Sequence, residues 1–127
     1  MQRINPDTVA RPASNYAHGI VHSAGAERLI ISGQVGLHLD GTMAEGVEAQ
    51  AEQAWRNVLN VAAAAGFGRE HLVRATTYVT ESGQVAVCRT VRDRVLEGHI
   101  CANTYLEVAG LAAPGWLVEI EAEAVKE

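Results

Sequence analysis

A chain of 127 residues is long enough for one domain with a hydrophobic core of its own. Its 10 basic and 15 acidic side chains leave a formal charge of −5, so it lacks the electrostatic attraction that draws proteins to phosphate backbones. No run approaches the roughly 18 to 20 apolar residues of a membrane-spanning helix. The two cysteines, Cys88 and Cys101, lack CxxC spacing and follow no apolar signal segment, which makes a reduced, cytoplasmic setting the expectation.

In chain order, the first dozen residues, with Pro6 and Pro12, read as a loose segment. The short runs HGIVH (18–22) and RLIIS (28–32) are strand-like, and the SAGA between them predicts a hairpin. A loop follows over 33–41. The tetrad TMAE at 42–45 has capping-box spacing, so a helix is predicted to start there. Its inward stripe would be Val47, Ala51, Ala54, Val58, Val61, Ala62 and Ala65, with Gly66 as the stop. LVRATTYVT (72–80) reads as a strand, and Val85, Cys88, Val91 and Val95 recur at helical spacing up to Gly98.

Residues 103–125 read as two strands around a turn. The second carries Glu119, Glu121 and Glu123 on one face and Val118, Ile120, Ala122 and Ala124 on the other. The order β-β-α-β-α-β-β predicts an α+β domain: one mixed sheet, two helices on the same face, and right-handed crossovers. The apolar row should face the helices. The acidic row should face away, because burying three unpaired carboxylates is prohibitively costly.

Read residue by residue, few positions demand chemistry. Glu119 is a candidate general base for water, against the plainer reading of a solvated strand acid. Cys88 falls at a helical core position and reads as a small hydrophobe, with no Cys/His arrangement to generate a thiolate. His18 and His22 share one face of a strand without a third ligand, so neither a metal site nor a cofactor is expected. The glycines of SGQVG are not followed directly by a helix, so a phosphate-cradling loop lacks its context.

Taken together, Tyr16 ahead of the first strand, ISGQVG (31–36), AQAEQAWRNVLNVAAAAG (49–66), LVRATTYVT and the terminal VEIEAEAV resemble the RidA/YjgF family. These are imine and enamine deaminases once described as L-PSP endoribonucleases or translation inhibitors, and the resemblance covers nearly the whole chain. It implies a chorismate-mutase-like subunit that assembles as a homotrimer, with a small-molecule cleft between neighbouring subunits. Nucleic acid and membrane are not expected as partners.

The resemblance also implies roles. Tyr16 matches the family's substrate-facing tyrosine, Ser32 and Gly33 its backbone-lined cleft edge, and Glu119 the glutamate that orients or activates water. Cys88 and Tyr105 match two further cleft positions, and Cys101, near the cleft, is a candidate contact or reactive thiol. One departure stands out. Where active deaminases carry Pro-Ala-Arg, whose arginine grips the substrate carboxylate, this chain has Cys101-Ala102-Asn103. Losing a charge-assisted bond to a carboxylate costs about 1.5–3 kcal/mol, so a standard 2-iminocarboxylate is not the expected substrate. Arg89, Arg92 and Arg94 lie on the preceding helix, but their spacing alone does not bring them to the cleft. The implied function is a metal-independent hydrolase of an imine, enamine or related small electrophile. The alternative is a trimer that binds a small metabolite without turnover.

Overall fold

Alternation along the last strand decides the layering of the molecule. In a computed structural model describing residues 1–127, Val118, Ile120, Ala122 and Ala124 are buried, whereas Glu119, Glu121 and Glu123 are half-exposed on the opposite face. The elements in chain order are β1 (Gln2–Ile4), β2 (Gly19–Val21), β3 (Glu27–Val35), α1 (Gly46–Ala64), β4 (Leu72–Val79), α2 (Val85–Val95), β5 (Ala102–Glu107) and β6 (Val118–Lys126). Strands β3, β6, β4 and β5 form one mixed sheet in that spatial order. Within it β6 runs antiparallel to both of its neighbours, and β4 and β5 are parallel. Helix α1 packs on α2, β3 and β6, and the core joins Trp55 and Val58 of α1 to Val91 of α2 and to Ile31, Leu72, Val79 and Ile120 of the sheet. The expected α+β architecture, with a mixed sheet and two helices on one face, is what the chain adopts.

Four local expectations are corrected. Strand β2 does not form a hairpin with β3; it pairs antiparallel with β1 in a separate two-stranded sheet, so the SAGA segment carries the chain from one sheet to the other. The opening residues are therefore not wholly loose. Strand β1 escapes detection because its three residues, QRI, are all exposed and carry no alternation. The capping box is not made: α1 begins at Gly46, and the Thr42 amide and hydroxyl instead donate to Asp40 Oδ1 at 3.0 and 2.7 Å. Strands β5 and β6 do not pair, because the connection between them returns β6 to the middle of the sheet and leaves β5 at the edge.

The inward stripe of α1 is also shifted. Trp55 and Gln50 join it, while Val61 is 38% exposed and Ala65 is exposed too. Gln50 is only 2% exposed, and its amide holds the β5–β6 connection: Nε2 donates to the Gly115 carbonyl at 3.0 Å and Oε1 accepts from the Leu117 amide at 2.8 Å. Two turns further on, Asn57 Nδ2 donates to the carbonyls of Val35 and Leu37 at 3.0 and 2.9 Å, fixing the end of β3. This polar side of α1 can sit so close because residue 36 is glycine; a Cβ there would lie 2.6 Å from Gln50 Cα. Gly66, at φ 82°, ends α1 as expected, with the Phe67 amide donating back to the Ala62 carbonyl at 2.9 Å.

The close approach gives a direct test. Gly36→Ala forces α1 away from the sheet and should lower stability by about 1–3 kcal/mol in urea unfolding. Gly25→Ala, at a position with nothing within 4 Å, should leave the midpoint nearly unchanged. Equal midpoints for the two variants would contradict the packing described.

Candidate functional site

The parallel β4–α2–β5 unit leaves a cavity of about 250 Å³ between α2 and the sheet edge. Asn103 and Tyr105 lie on the helix-facing side of β5, in register with Ala75 and Thr77 of β4 and through them with Ala122 and Ile120 of β6. Helix α2 closes the cavity with Cys88, Arg89 and Arg92. Tyr16 reaches the rim because the chain bridges to the free edge of β5, where the Ala17 amide donates to the Cys101 carbonyl at 3.0 Å. The other lining residues are Ser14, Thr77, Val85 and Thr104, so no carboxylate borders the cavity, although the chain as a whole is acidic.

Its polar groups are unevenly satisfied. The Tyr105 hydroxyl is buried without a hydrogen-bond partner, and desolvation pushes its phenol above the ordinary tyrosine range. Asn103 Nδ2 donates to the Cys101 carbonyl at 3.3 Å and to Cys101 Sγ at 3.2 Å, which points the amide oxygen away from these contacts and leaves it free to accept. Arg92 is 8% exposed. Its Nε donates to Asp93 Oδ1 at 3.0 Å, and Nη2 reaches Ser14 Oγ only at 3.5 Å. Asp93 is steadied in turn by Asn15 Nδ2 at 3.2 Å. Burial pushes the thiols of Cys88 and Cys101 up to about 11, which keeps both protonated at neutral pH and unsuited to nucleophilic attack. Cys101 lies fully buried and meets the cavity only through Asn103.

Glu119 belongs to a different place. It is in register with Tyr78 of β4 and Val35 of β3, so its side chain stands on the sheet face opposite Asn103 and Tyr105. There it packs on Gly33, where an added Cβ would lie 2.7 Å from the carboxylate carbon. Ser32 and Gly33 sit at the register irregularity of β3, between Ile31 and Gln34. Of the three acids in the row, Glu121 accepts from the Tyr78 hydroxyl at 2.6 Å and Glu123 from Arg28 Nη2 at 2.9 Å. Glu119 has no hydrogen bond or ion pair of its own. The bond to Glu121 is also the main cause that raises the Tyr78 phenol above its ordinary value.

The structure thus brings Tyr16, Cys88, Asn103 and Tyr105 together, and sets Ser32, Gly33 and Glu119 apart on the far face of the sheet. Arg89 and Arg92 are the charged cavity residues that sequence reading left out, beside Ser14, Thr77, Val85 and Thr104. The signal was present: Arg92 follows Cys88 by four positions, which puts both on one helix face. Arg94 turns away and pairs with Glu52 at 3.4 Å. His18 and His22 each bond a backbone carbonyl, of Ala10 at 2.7 Å and Ser23 at 2.9 Å. Neither helix is long and apolar enough to cross a membrane.

Comparison with known proteins places this geometry in context. The family model for endoribonuclease L-PSP matches residues 8–126. Protein DfrA of Myxococcus xanthus is 33% identical over 124 residues, covering 96% of this chain and 93% of its own. The crystal structure of YyfB from Yersinia pestis, a Rid-family protein of unknown function, superposes with a TM-score of 0.86 at 31% identity, covering 97% of this chain and 96% of its own. RidA from the Antarctic bacterium Psychrobacter sp. gives a TM-score of 0.72 at 28% identity, with 98% of both chains covered.

The protonated thiols make a measurable claim. Iodoacetamide at pH 8 should leave Cys88 and Cys101 unmodified in the native protein and label both after unfolding in urea; rapid native labelling would contradict their burial. Both thiols ionise near 9 when unfolded but only near 11 when folded, so the unfolded chain binds fewer protons between those values. Their contribution to stability is complete below pH 9 and should be lost as the pH rises from 9 to about 11.

Proposed function

The chain belongs to the endoribonuclease L-PSP family, which includes the Rid and YjgF proteins, and from that premise we propose that it binds a small polar metabolite in the cavity between α2 and β5. The observation that carries this reading is the Tyr105 hydroxyl, a buried donor with no partner, in a cavity of a size that suits a small metabolite. Leaving such a donor unpaired costs about 1–3 kcal/mol, which an acceptor atom on a ligand would recover.

The proposed reaction is hydrolysis of an imine, enamine or related electrophile without a metal or cofactor. Water adds to the carbon of the carbon–nitrogen double bond while the Glu119 carboxylate takes its proton. The nitrogen is then protonated and leaves as ammonia or an amine as the carbonyl forms. Because Glu119 and Gly33 stand on the open face of the sheet, they would meet the cavity of a neighbouring subunit, as in a homotrimer. That face also carries Ile30, 67% exposed, and Leu106, 46% exposed, which support its burial in an assembly. Asn103 brings no charge to β5, so the grip of arginine-bearing relatives is absent and turnover of 2-iminocarboxylates should be weak. RNA cleavage is not proposed for a chain of charge −5 without a basic run.

A second reading, binding without turnover, has its own support: no acid lines the cavity, and Glu119 lies on the far face of the same subunit. Hydrolysis of enzymatically generated 2-iminopropionate separates the two. Asn103→Arg should raise the rate about tenfold or more, the worth of a charge-assisted bond, and Glu119→Gln should abolish it without weakening ligand protection in thermal shift. Turnover indifferent to Glu119→Gln would leave the binding reading. Light scattering should give a mass near three times the 13.5 kDa of the chain, and a monomer would remove the intersubunit arrangement.

A further inference from the structure

The arginine missing from β5 leaves open which group, if any, supplies positive charge to the cavity. We propose that Arg92 of α2 is the anchor, and that the cavity selects a small organic acid bearing an O–H or N–H donor, such as a 2-hydroxy or 2-amino acid. This rests on the reading of the cavity as a metabolite site and specifies what that site takes.

Three observations converge. First, Arg92 is only 8% exposed, yet of its guanidinium nitrogens only Nε is well paired. Asp93 holds that nitrogen at 3.0 Å, and the Nη edge has nothing nearer than Ser14 Oγ at 3.5 Å. Buried charges are ordinarily paired, and an arginine fixed by its Nε presents its two Nη groups as a fork for a carboxylate. Second, the cavity is lined by two arginines and no acid, in a chain with five more acidic than basic residues. The one carboxylate paired with Arg92, Asp93, engages its Nε and does not line the cavity. Third, the Tyr105 hydroxyl is a buried, unpartnered donor on the same wall.

The donor inventory then narrows the ligand. Arg92 and Tyr105 both require acceptor oxygens, which one carboxylate supplies. Asn103 has its Nδ2 engaged by Cys101 and offers its oxygen as an acceptor, so the ligand needs a donor beside the carboxylate. Asn103 therefore has a use in this site that an arginine, which only donates, could not fill. The bond from Asn15 Nδ2 to Asp93 ties the segment that carries Tyr16 to the same helix, next to the anchor.

Calorimetric titration of the full-length protein tests this with three probes: L-lactate, lactamide, which lacks the charge, and propionate, which lacks the donor. Lactate should bind most tightly, with an affinity that falls as salt is raised. Arg92→Gln should weaken lactate about tenfold or more and lactamide far less, and Arg92→Lys, which keeps the charge but not the fork, should fall between for lactate. Tyr105→Phe should weaken lactate and propionate alike. Should Arg92→Gln fail to fold, as judged by circular dichroism, Arg92→Lys and the ranking of the three probes on the unaltered protein still decide. Lactamide binding as tightly as lactate would overturn the anion anchor while keeping the cavity as a metabolite site. Binding of none of the three, in the presence of a neutral metabolite that does protect the fold, would do the same; no protection by any small molecule would overturn both readings.

Discussion

Strand β6 is hydrogen-bonded along both edges and buried on one face, and this double commitment divides the molecule. Its neighbours β3 and β4 can reach it only from the two sides, so β5 is left at the sheet edge beside α2. Its alternation allows the helices to cover Val118, Ile120, Ala122 and Ala124, and it sends Glu119, Glu121 and Glu123 to the opposite surface. A slip of one residue would drive three carboxylates into the core, so the register is held by the free energy of burial itself. The separation of Glu119 from Tyr105 is a consequence of that register: Tyr105 lies in line, through Thr77 of β4, with Ile120, and Glu119, the next residue along β6, points to the other face.

The same division sorts polar groups into those that hold the fold and those left available. Gln50 and Asn57 are spent on backbone groups of two loops, Glu121 on Tyr78, and Glu123 on Arg28. Around the cavity and on the open face four groups are left available: the Tyr105 hydroxyl, the Asn103 oxygen, the Nη edge of Arg92, and the Glu119 carboxylate. Three of the four share the cavity under α2. Polar atoms that evolution has left unpaired inside a well-satisfied framework are the natural places to look for a ligand.

Much of this was legible in the sequence, and the losses have physical causes. The helix α2, strand β4 and the two faces of β6 were readable because strong periodicity reports a half-buried surface. The order of strands was not, since β6 pairs with β3 and β4 through contacts far apart in sequence, and periodicity says which face is buried but not which edge is paired. The TMAE tetrad misled because the side chain of Asp40 lies two residues away and outcompetes the helix terminus for Thr42. Resemblance singled out Tyr16, Cys88, Asn103 and Tyr105, and these four line one cavity. It drew attention away from Arg92, because a missing arginine at one position says nothing about a guanidinium arriving from another element.

The proposed anion site under α2 is tested most directly by a crystal structure of the protein soaked with L-lactate. It should show the carboxylate between the Nη edge of Arg92 and the Tyr105 hydroxyl, with the lactate hydroxyl donating to the Asn103 oxygen. Density for lactate only at Gly33 and Glu119 on the open face, or a cavity filled by the Arg92 side chain itself and closed to the ligand, would contradict it.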